Sequence, residues 1–338
     1  MDGGGSVLFA GVNWLGDAVM TAPAVREFRR RRPAGRFTML VKPHLAPFWR
    51  MIRDIDDIME LRSWPAGVVR AAAGVRRERF EHAYCLTQSF RSAIVPFLAG
   101  IPRRTGMPGH FRDWLLTEVV KPGSSPGRRH QAFEYYDLLG MGDVSAPAMP
   151  QLQIPGDLLA RCGENIQSLF PGRRDGPLVG IFPGAAHGPS KRWPASRFGE
   201  VAKRLESVHG CRVVFFGAAG ERQACSEAVA AANSGTIADL CGRTSLPELA
   251  AMLSLCGAVL ANDSGGMHLA AMAGAPVVAI FGITDPEKTG PIGPRHRVIA
   301  AERARRGRDL KPDSREAVEA LLRVRSDDVF RAVMDAMA

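Results

Sequence analysis

The 338-residue chain reads as two doubly wound α/β domains in tandem, facing each other across a cleft. Three observations predict this. Short apolar runs alternate with amphipathic stretches, the pattern of parallel sheets covered by helices. That pattern fades over residues 121–175, which are rich in Pro and Gly, and then restarts. The length also suits two domains of about 150 residues each. We place an N-terminal domain at 1–160, a C-terminal domain at 175–320 and a last helix at 325–338 that returns to the N-terminal domain.

The elements follow in order. Val7-Leu-Phe-Ala10 is a strand ending in a turn over 11–16. Pro23 suits the first turn of a helix that runs to about Arg31. Strands follow at 37–41 and 83–86, the second leading into a helix over 89–98. Residues 131–139 and 157–169 are helical patches. Strands are then expected at 178–182, 212–216, 237–241, 258–261 and 276–281, with helices at 196–208, 220–232, 246–255 and 266–273. Residues 303–308 are a basic surface loop. Ser326 caps a final helix with Val329, Phe330, Val333 and Met334 on one face.

Composition excludes several classes. With 46% hydrophobic and 23% charged residues the chain is not largely disordered. No run of about 18 apolar residues is long enough to span a bilayer. The glycine-rich start lacks the basic region of a signal peptide. The 44 Lys and Arg outweigh 34 Asp and Glu, for a net +10 spread over both halves. Such a surface favours anionic partners, from nucleic acid to lipid headgroups to phosphorylated substrates, or reflects a general preference for arginine. The six cysteines, at 85, 162, 211, 225, 241 and 256, form no C-x-x-C pair, and no His cluster has zinc spacing. They read as buried free thiols of a reducing cytoplasm. No metal site and no cofactor are expected.

Three segments carry chemistry. Asp17 lies just past the first strand, where a carboxylate serves either as a general base or as a helix cap. The turn before it is not G-x-G-x-x-G, and no Walker loop exists in the chain. The second segment runs from Phe182 to Pro194 as Phe-Pro-Gly-Ala-Ala-His-Gly-Pro-Ser-Lys-Arg-Trp-Pro. A Gly/Pro-rich loop leaving a strand and carrying Lys191 suits a phosphate, or is a charged surface loop. Lys191 is one of only six lysines, so an arginine-rich composition does not account for it. The third is Asn262-Asp-Ser-Gly-Gly-Met-His268, a strand end opening a helix whose amides favour an anion; a plain capping turn is the alternative. Two such loops in one half point to a diphosphate. Glu221, after Gly217-Ala-Ala-Gly220, stands where a carboxylate bonds ribose hydroxyls. Asp54-Ile-Asp-Asp57 contains a D-x-D, but nothing nearby completes a metal site, and we read it as an acidic turn.

With these segments in view, the chain resembles the family 9 glycosyltransferases, the ADP-heptose:lipopolysaccharide heptosyltransferases, and most closely their heptosyltransferase II branch. The matching segments are Asn13-Trp-Leu-Gly-Asp17-Ala-Val-Met-Thr-Ala-Pro23, Ala99-Gly-Ile-Pro-Arg-Arg-Thr-Gly106, Pro183-Gly-Ala with Gly188-Pro-Ser-Lys-Arg-Trp-Pro194, and Asn262 to His268. Ala275-Pro-Val-Val-Ala-Ile-Phe-Gly and Thr284-Asp-Pro286 also match. The likeness covers about 7–298 and the last helix. It implies a GT-B fold of two Rossmann-like domains, with the acceptor in the first and the nucleotide sugar in the second. It implies inverting, metal-independent transfer of heptose from ADP-heptose to the inner core of lipopolysaccharide. By position, Asp17 matches the catalytic base and Lys191 the lysine on the donor diphosphate. Glu221 falls near the ribose-binding acid, and Thr244 lines the nucleotide pocket. Asp263, Ser264, Gly265, Gly266 and His268 form the donor loop. Arg103 and Arg104 are candidates for acceptor contact. Such an enzyme would be cytoplasmic, in peripheral contact with the anionic inner face of the inner membrane, and would not bind nucleic acid. One feature departs from the pattern: many relatives carry a cysteine-rich stretch after Thr-Asp-Pro, where this chain is arginine-rich over 300–315.

Other readings make different demands. Another family 9 enzyme would use a different nucleotide sugar for a surface glycan. A sugar-nucleotide epimerase on the same fold would act with no acceptor. A nucleic-acid-binding protein would show salt-sensitive binding that survives loss of Asp17, but no basic motif with interleaved aromatics supports it.

Overall fold

A computed structural model describes residues 5–62, 65–121, 123, 130–172, 175–186, 188–301 and 315–338. The chain divides into two units, Met1–Gln153 and Ile154–Ala338.

The first unit runs β1 (Ser6–Ala10), α1 (Leu15–Arg31), β2 (Arg36–Val41), α2 (Ala46–Arg50), β3 (Asp57–Glu60), α3 (Ala66–Arg77), β4 (His82–Cys85), α4 (Phe90–Leu98), β5 (Arg103–Gly106), β6 (Glu118–Val119) and α5 (Ala132–Leu138). Its six strands are parallel and ordered β3-β2-β1-β4-β5-β6. Helices cover both faces, so the central strands are apolar on both sides. Leu8, Leu40 and Ala83 face Val68 and Val75 of α3 and Val95 of α4. The alternate residues Phe9, Phe37 and Tyr84 meet Phe28 of α1, with ring centroids 5.2–5.9 Å apart.

The second unit opens with α6 (Gly156–Ser168) and continues β7 (Leu178–Phe182), α7 (Ala195–His209), β8 (Arg212–Phe215), α8 (Arg222–Ala232), β9 (Ala238–Asp239), α9 (Leu246–Ser254), β10 (Ala258–Asn262), α10 (Gly265–Met272), β11 (Val277–Phe281), α11 (Pro286–Thr289), β12 (Arg297–Ala300), α12 (Arg315–Leu322) and α13 (Ser326–Met337). The strands are again parallel, in the order β12-β11-β10-β7-β8-β9. Numbered within the unit this is the 3-2-1-4-5-6 order of the first sheet, so both units are doubly wound in the Rossmann manner. Gly210 closes α7 at φ +63°, the left-handed position a glycine adopts without strain.

Four expectations need correction. The boundary falls at 153/154, because α6 packs on α9 and joins the second unit. The last helix belongs to the second unit: Val329, Phe330 and Val333 are buried in its core, against α7 and the β10–β12 strands. Ser326 is the first residue of α13 rather than its cap, and its hydroxyl donates to Glu200. Pro23 does not begin a helix but sits buried inside α1, which starts eight residues earlier at Leu15. A proline there removes one ladder bond and marks no boundary. The basic segment 303–308 lies outside the described residues.

Candidate active site

In a doubly wound sheet the strand order reverses at one point, and ligands bind beyond the carboxyl ends of the strands that flank it. Here those pairs are β1 and β4 in the first unit, and β7 and β10 in the second. Three of the segments singled out in the sequence follow β1, β7 and β10, so each stands at a reversal.

In the second unit, side chains join the β7 and β10 loops. Asn262, fully buried at the end of β10, accepts from the Trp193 amide at 3.0 Å and donates to the Pro183 carbonyl at 2.8 Å. Trp193 is itself buried, and its indole donates to the Val324 carbonyl at 3.1 Å. These bonds hold Lys191 at the end of β10. Lys191 Nζ lies 2.6 Å from Asp263 Oδ2, which also accepts from the Thr284 hydroxyl at 2.7 Å. Thr284 follows β11, so three successive strand ends converge on one buried carboxylate. Ser264 precedes α10 in extended conformation, and its hydroxyl makes no capping bond. Gly265 and Gly266 form the first turn behind it. A Cβ on Gly266 would meet the Phe182 ring at 2.6 Å, so only glycine lets this turn approach β7 so closely. His268 is buried one turn further along.

Glu221 belongs to the same edge. Its carboxylate accepts from the Ala218 amide at 2.8 Å, and a Cβ on Gly184 would lie 2.6 Å from its carboxyl carbon. It therefore packs between the β7 and β8 loops. Thr244 is half-buried in the turn between β9 and α9. Lys191, Glu221, Thr244, Asp263, Ser264, Gly265, Gly266 and His268 are all at or just beyond the carboxyl edge of one sheet.

In the first unit, Asp17 stands in the opening turn of α1, after β1. The Tyr135 phenol of α5 is close by. Burial pushes its pKa well up, and the negative charge of Asp17 adds to this. Sequence reasoning missed Arg112, beyond the carboxyl ends of β4 and β5. Its side chain is wholly buried, and Nη1 donates to the Thr87 carbonyl. Nε and Nη2 are buried with no partner among the described residues. Burial draws its pKa down, yet a guanidinium stays charged. A buried cation with two unanswered donors is a ready seat for an anion.

Arg103 and Arg104 are not brought to this edge. Arg103 opens β5 at the amino end of the sheet, where it lines a cavity of about 180 Å³ with Ser6, Gly35 and His82. Arg104 Nε donates to the Leu115 carbonyl at 2.7 Å and Nη1 to the Ile101 carbonyl at 2.5 Å. Of the pair expected to contact the acceptor, Arg103 thus lies at the amino edge of the sheet, and Arg104 braces a loop. The D-x-D turn is structural too, since Asp56 accepts from Arg29 and from the Phe37 amide, and Asp57 pairs with Arg36. All six cysteines are buried and free of disulfides.

Comparison with known proteins gives this arrangement a context. Residues 68–317 match the model of glycosyltransferase family 9 (heptosyltransferase). The lipopolysaccharide heptosyltransferase 2 of Escherichia coli K12 is 33% identical over 314 residues, which cover 87% of each chain. The lipooligosaccharide heptosyltransferase 2 of Haemophilus influenzae is 26% identical, covering 87% of this chain and 88% of its own. Among solved structures, E. coli ADP-heptose LPS heptosyltransferase II superposes with a TM-score of 0.84 at 27% identity, covering 98% of both chains. A family 9 enzyme from Veillonella parvula shares the fold at the same TM-score and 21% identity, covering 100% of this chain and 98% of its own. The architecture is thus the GT-B class of α/β fold, and the chain belongs to glycosyltransferase family 9, the heptosyltransferases.

Proposed function

We propose that the chain transfers heptose from ADP-heptose to the inner core of lipopolysaccharide, by a single inverting displacement that uses no metal. The observation that carries this reading is the convergence of Lys191, Asp263 and the opening turn of α10 at the reversal point of the second sheet. In a family whose relatives include an ADP-heptose enzyme, that convergence suits a nucleoside diphosphate. Lys191 and the amides of Ser264, Gly265 and Gly266 take the pyrophosphate, and Lys191 with these dipoles steadies the charge that grows on ADP as the glycosidic bond breaks. Asp263 orients Lys191. Glu221 bonds the ribose, and Thr244 lines the nucleoside pocket. His268 supports the loop from within.

Asp17 acts as general base. It takes the proton of the acceptor hydroxyl while that oxygen attacks the anomeric carbon from the face opposite ADP. Arg112 replaces Arg103 and Arg104 as the cation we assign to the acceptor, whose anionic groups would answer its two buried donors. The net charge of +10 supports peripheral contact with the anionic inner face of the inner membrane. Among the described residues no helix is long and apolar enough to cross a membrane.

The test is a donor screen on the purified chain with heptose-deficient lipopolysaccharide, followed by NMR assignment of the new anomeric centre. ADP-heptose alone should be consumed, with inversion. Turnover with a UDP- or GDP-sugar instead discards the heptose, and retention discards the single displacement.

A further inference from the structure

The described residues contain one group of three side chains whose donor atoms are close enough to share a cation, and it lies outside the residues assigned to the transfer reaction. Cys225 Sγ, Cys241 Sγ and an Asp239 carboxylate oxygen lie within 4.8 Å of one another. No motif spacing announces this. Cys225 is on α8 and Asp239 closes β9. The pairing of Phe215 with Asp239 brings that strand end, and Cys241 after it, beneath the first turns of α8.

A second relationship converges on the same place. A Cβ on Gly217 would lie 2.9 Å from Cys241 Sγ, 3.2 Å from Cys225 Sγ and 3.2 Å from Glu221 Oε2. Two sulfurs and a carboxylate thus face one point that carries no side chain, with Asp239 beside them. We propose that Cys225, Cys241 and Asp239 bind a thiophilic divalent cation of the Zn²⁺ class.

The chemistry suits that class. Two thiolates with carboxylate oxygen make a borderline-soft tetrahedral set and exclude Mg²⁺ or Ca²⁺, which want oxygen alone. Zinc–sulfur bonds of about 2.3 Å place two sulfurs about 3.8 Å apart, within the 4.8 Å that spans the group. Each thiol donates to a carbonyl, Cys225 to Phe216 at 3.6 Å and Cys241 to Ala218 at 3.3 Å. Binding therefore releases both protons: M²⁺ + 2 RSH gives M(SR)₂ + 2 H⁺. Asp239 and Glu221 are half-exposed and provide the way in, while both sulfurs are buried. The Asp239 carboxylate is already held by the Cys241 amide at 2.8 Å, which orients it toward the thiols. The cation would tie the β8–α8 turn to the end of β9 and takes no part in the transfer.

The experiment is a Cd²⁺ titration of the full chain after treatment with a chelator, followed by thiolate-to-metal charge-transfer absorption and by proton release in weak buffer, and repeated with Zn²⁺ by competition. One cation per chain should bind with about two protons released, as two thiol ligands require. C225S/C241S should lose the band, D239N should weaken binding about 10-fold as lost ligation does, and C85S/C162S should leave both unchanged. Absence of the band at one equivalent in the wild-type chain overturns the proposal whatever the variants do. So does a band that persists in C225S/C241S or disappears in C85S/C162S.

Discussion

Lys191 Nζ lies 2.6 Å from Asp263 Oδ2, and that carboxylate is almost wholly enclosed. The pair ties the β7 loop to the end of β10, with Thr284 as a second donor to the same oxygen. Loss of the lysine has two consequences. The proposed phosphate site loses its cation, and Asp263 keeps a buried charge with only a hydroxyl against it. A charge-assisted bond contributes roughly 1.5–3 kcal/mol, so Lys191→Met should weaken ADP binding about 10- to 100-fold. It should also lower the melting temperature of the free chain. Calorimetric titration with ADP and a thermal melt measure the two effects, and unchanged ADP affinity would remove Lys191 from the donor site.

Asp17 stands in the other unit from the donor loops. Its proposed task is a proton transfer, so its loss should leave ADP binding alone. Asp17→Asn should lower kcat by about 10²- to 10⁴-fold, the usual range for a general base, with the ADP dissociation constant within about twofold of wild type. Near-normal turnover in this variant would assign Asp17 to capping α1.

The strand-end positions of these two residues were legible in the sequence because the signals that place them are local. A loop such as Asn262-Asp-Ser-Gly-Gly266 needs its glycines wherever a strand feeds a helix beside an anion, and Lys191 stood out against an arginine-rich background. Arg112 was not legible. Nothing in Gly109-His-Phe-Arg112-Asp distinguishes it from a surface charge, and its burial comes from strands β4 and β5, far away in sequence. The same holds for Cys225 and Cys241, which strand register alone brings together. The placement of Arg103 and Arg104 was not legible either, for the converse reason. They begin a short polar strand that periodicity does not reveal, and the direction of that strand sends Arg103 to the amino edge. Missing β3, β5, β6 and β12 left the sheet ends uncertain, whereas the buried central strands were read almost to the residue.

Gly266 tests the closeness of α10 to β7. An alanine there would put its methyl 2.6 Å from the Phe182 ring, which is buried and cannot swing away freely. Overpacking of this kind costs about 1–3 kcal/mol. Each kcal/mol lowers the melting temperature of a domain this size by about 2–4 °C. Gly266→Ala should therefore melt several degrees lower and bind ADP more weakly, since the first turn of the helix must retreat. Gly156→Ala, where nothing lies within 4 Å of the added carbon, serves as the control and should melt within about a degree of wild type because no neighbour has to shift.

Arg112 sets function against stability. A guanidinium buried with two unanswered donors destabilises the free chain, and an apolar side chain of similar length removes that burden. Arg112→Met should melt no lower than wild type. Its KM for the lipopolysaccharide acceptor should rise about 10-fold or more, as expected for the loss of a charge-assisted bond, with ADP binding unchanged. An unaltered acceptor KM would leave Arg112 a structural residue only.

His82 predicts how stability responds to acid. Its Nε2 lies 2.7 Å from the Thr105 hydroxyl, which donates onward to Glu118 at 2.8 Å. The one hydroxyl proton is thereby committed, so His82 Nε2 carries the hydrogen of the neutral ring. Burial, with the positive charges of Arg103 and Arg32, pushes the His82 pKa down from 6.5 to about 4, against the opposing charge of Glu118. The unfolded imidazole thus takes up a proton near its ordinary value, and the folded one resists until about 4. Between those limits the unfolded state binds more protons, and stability falls as the pH falls. The contribution is fully present above about pH 6.5 and gone below about pH 4, and is on the order of 3 kcal/mol. His82→Gln cannot titrate. Other groups act alike in both proteins, so the difference in unfolding free energy between wild type and His82→Gln should shift against the wild type as the pH is lowered from 7 to 4.5. Urea melts across that range measure it, and two parallel curves would show that the ring is not held neutral by the fold.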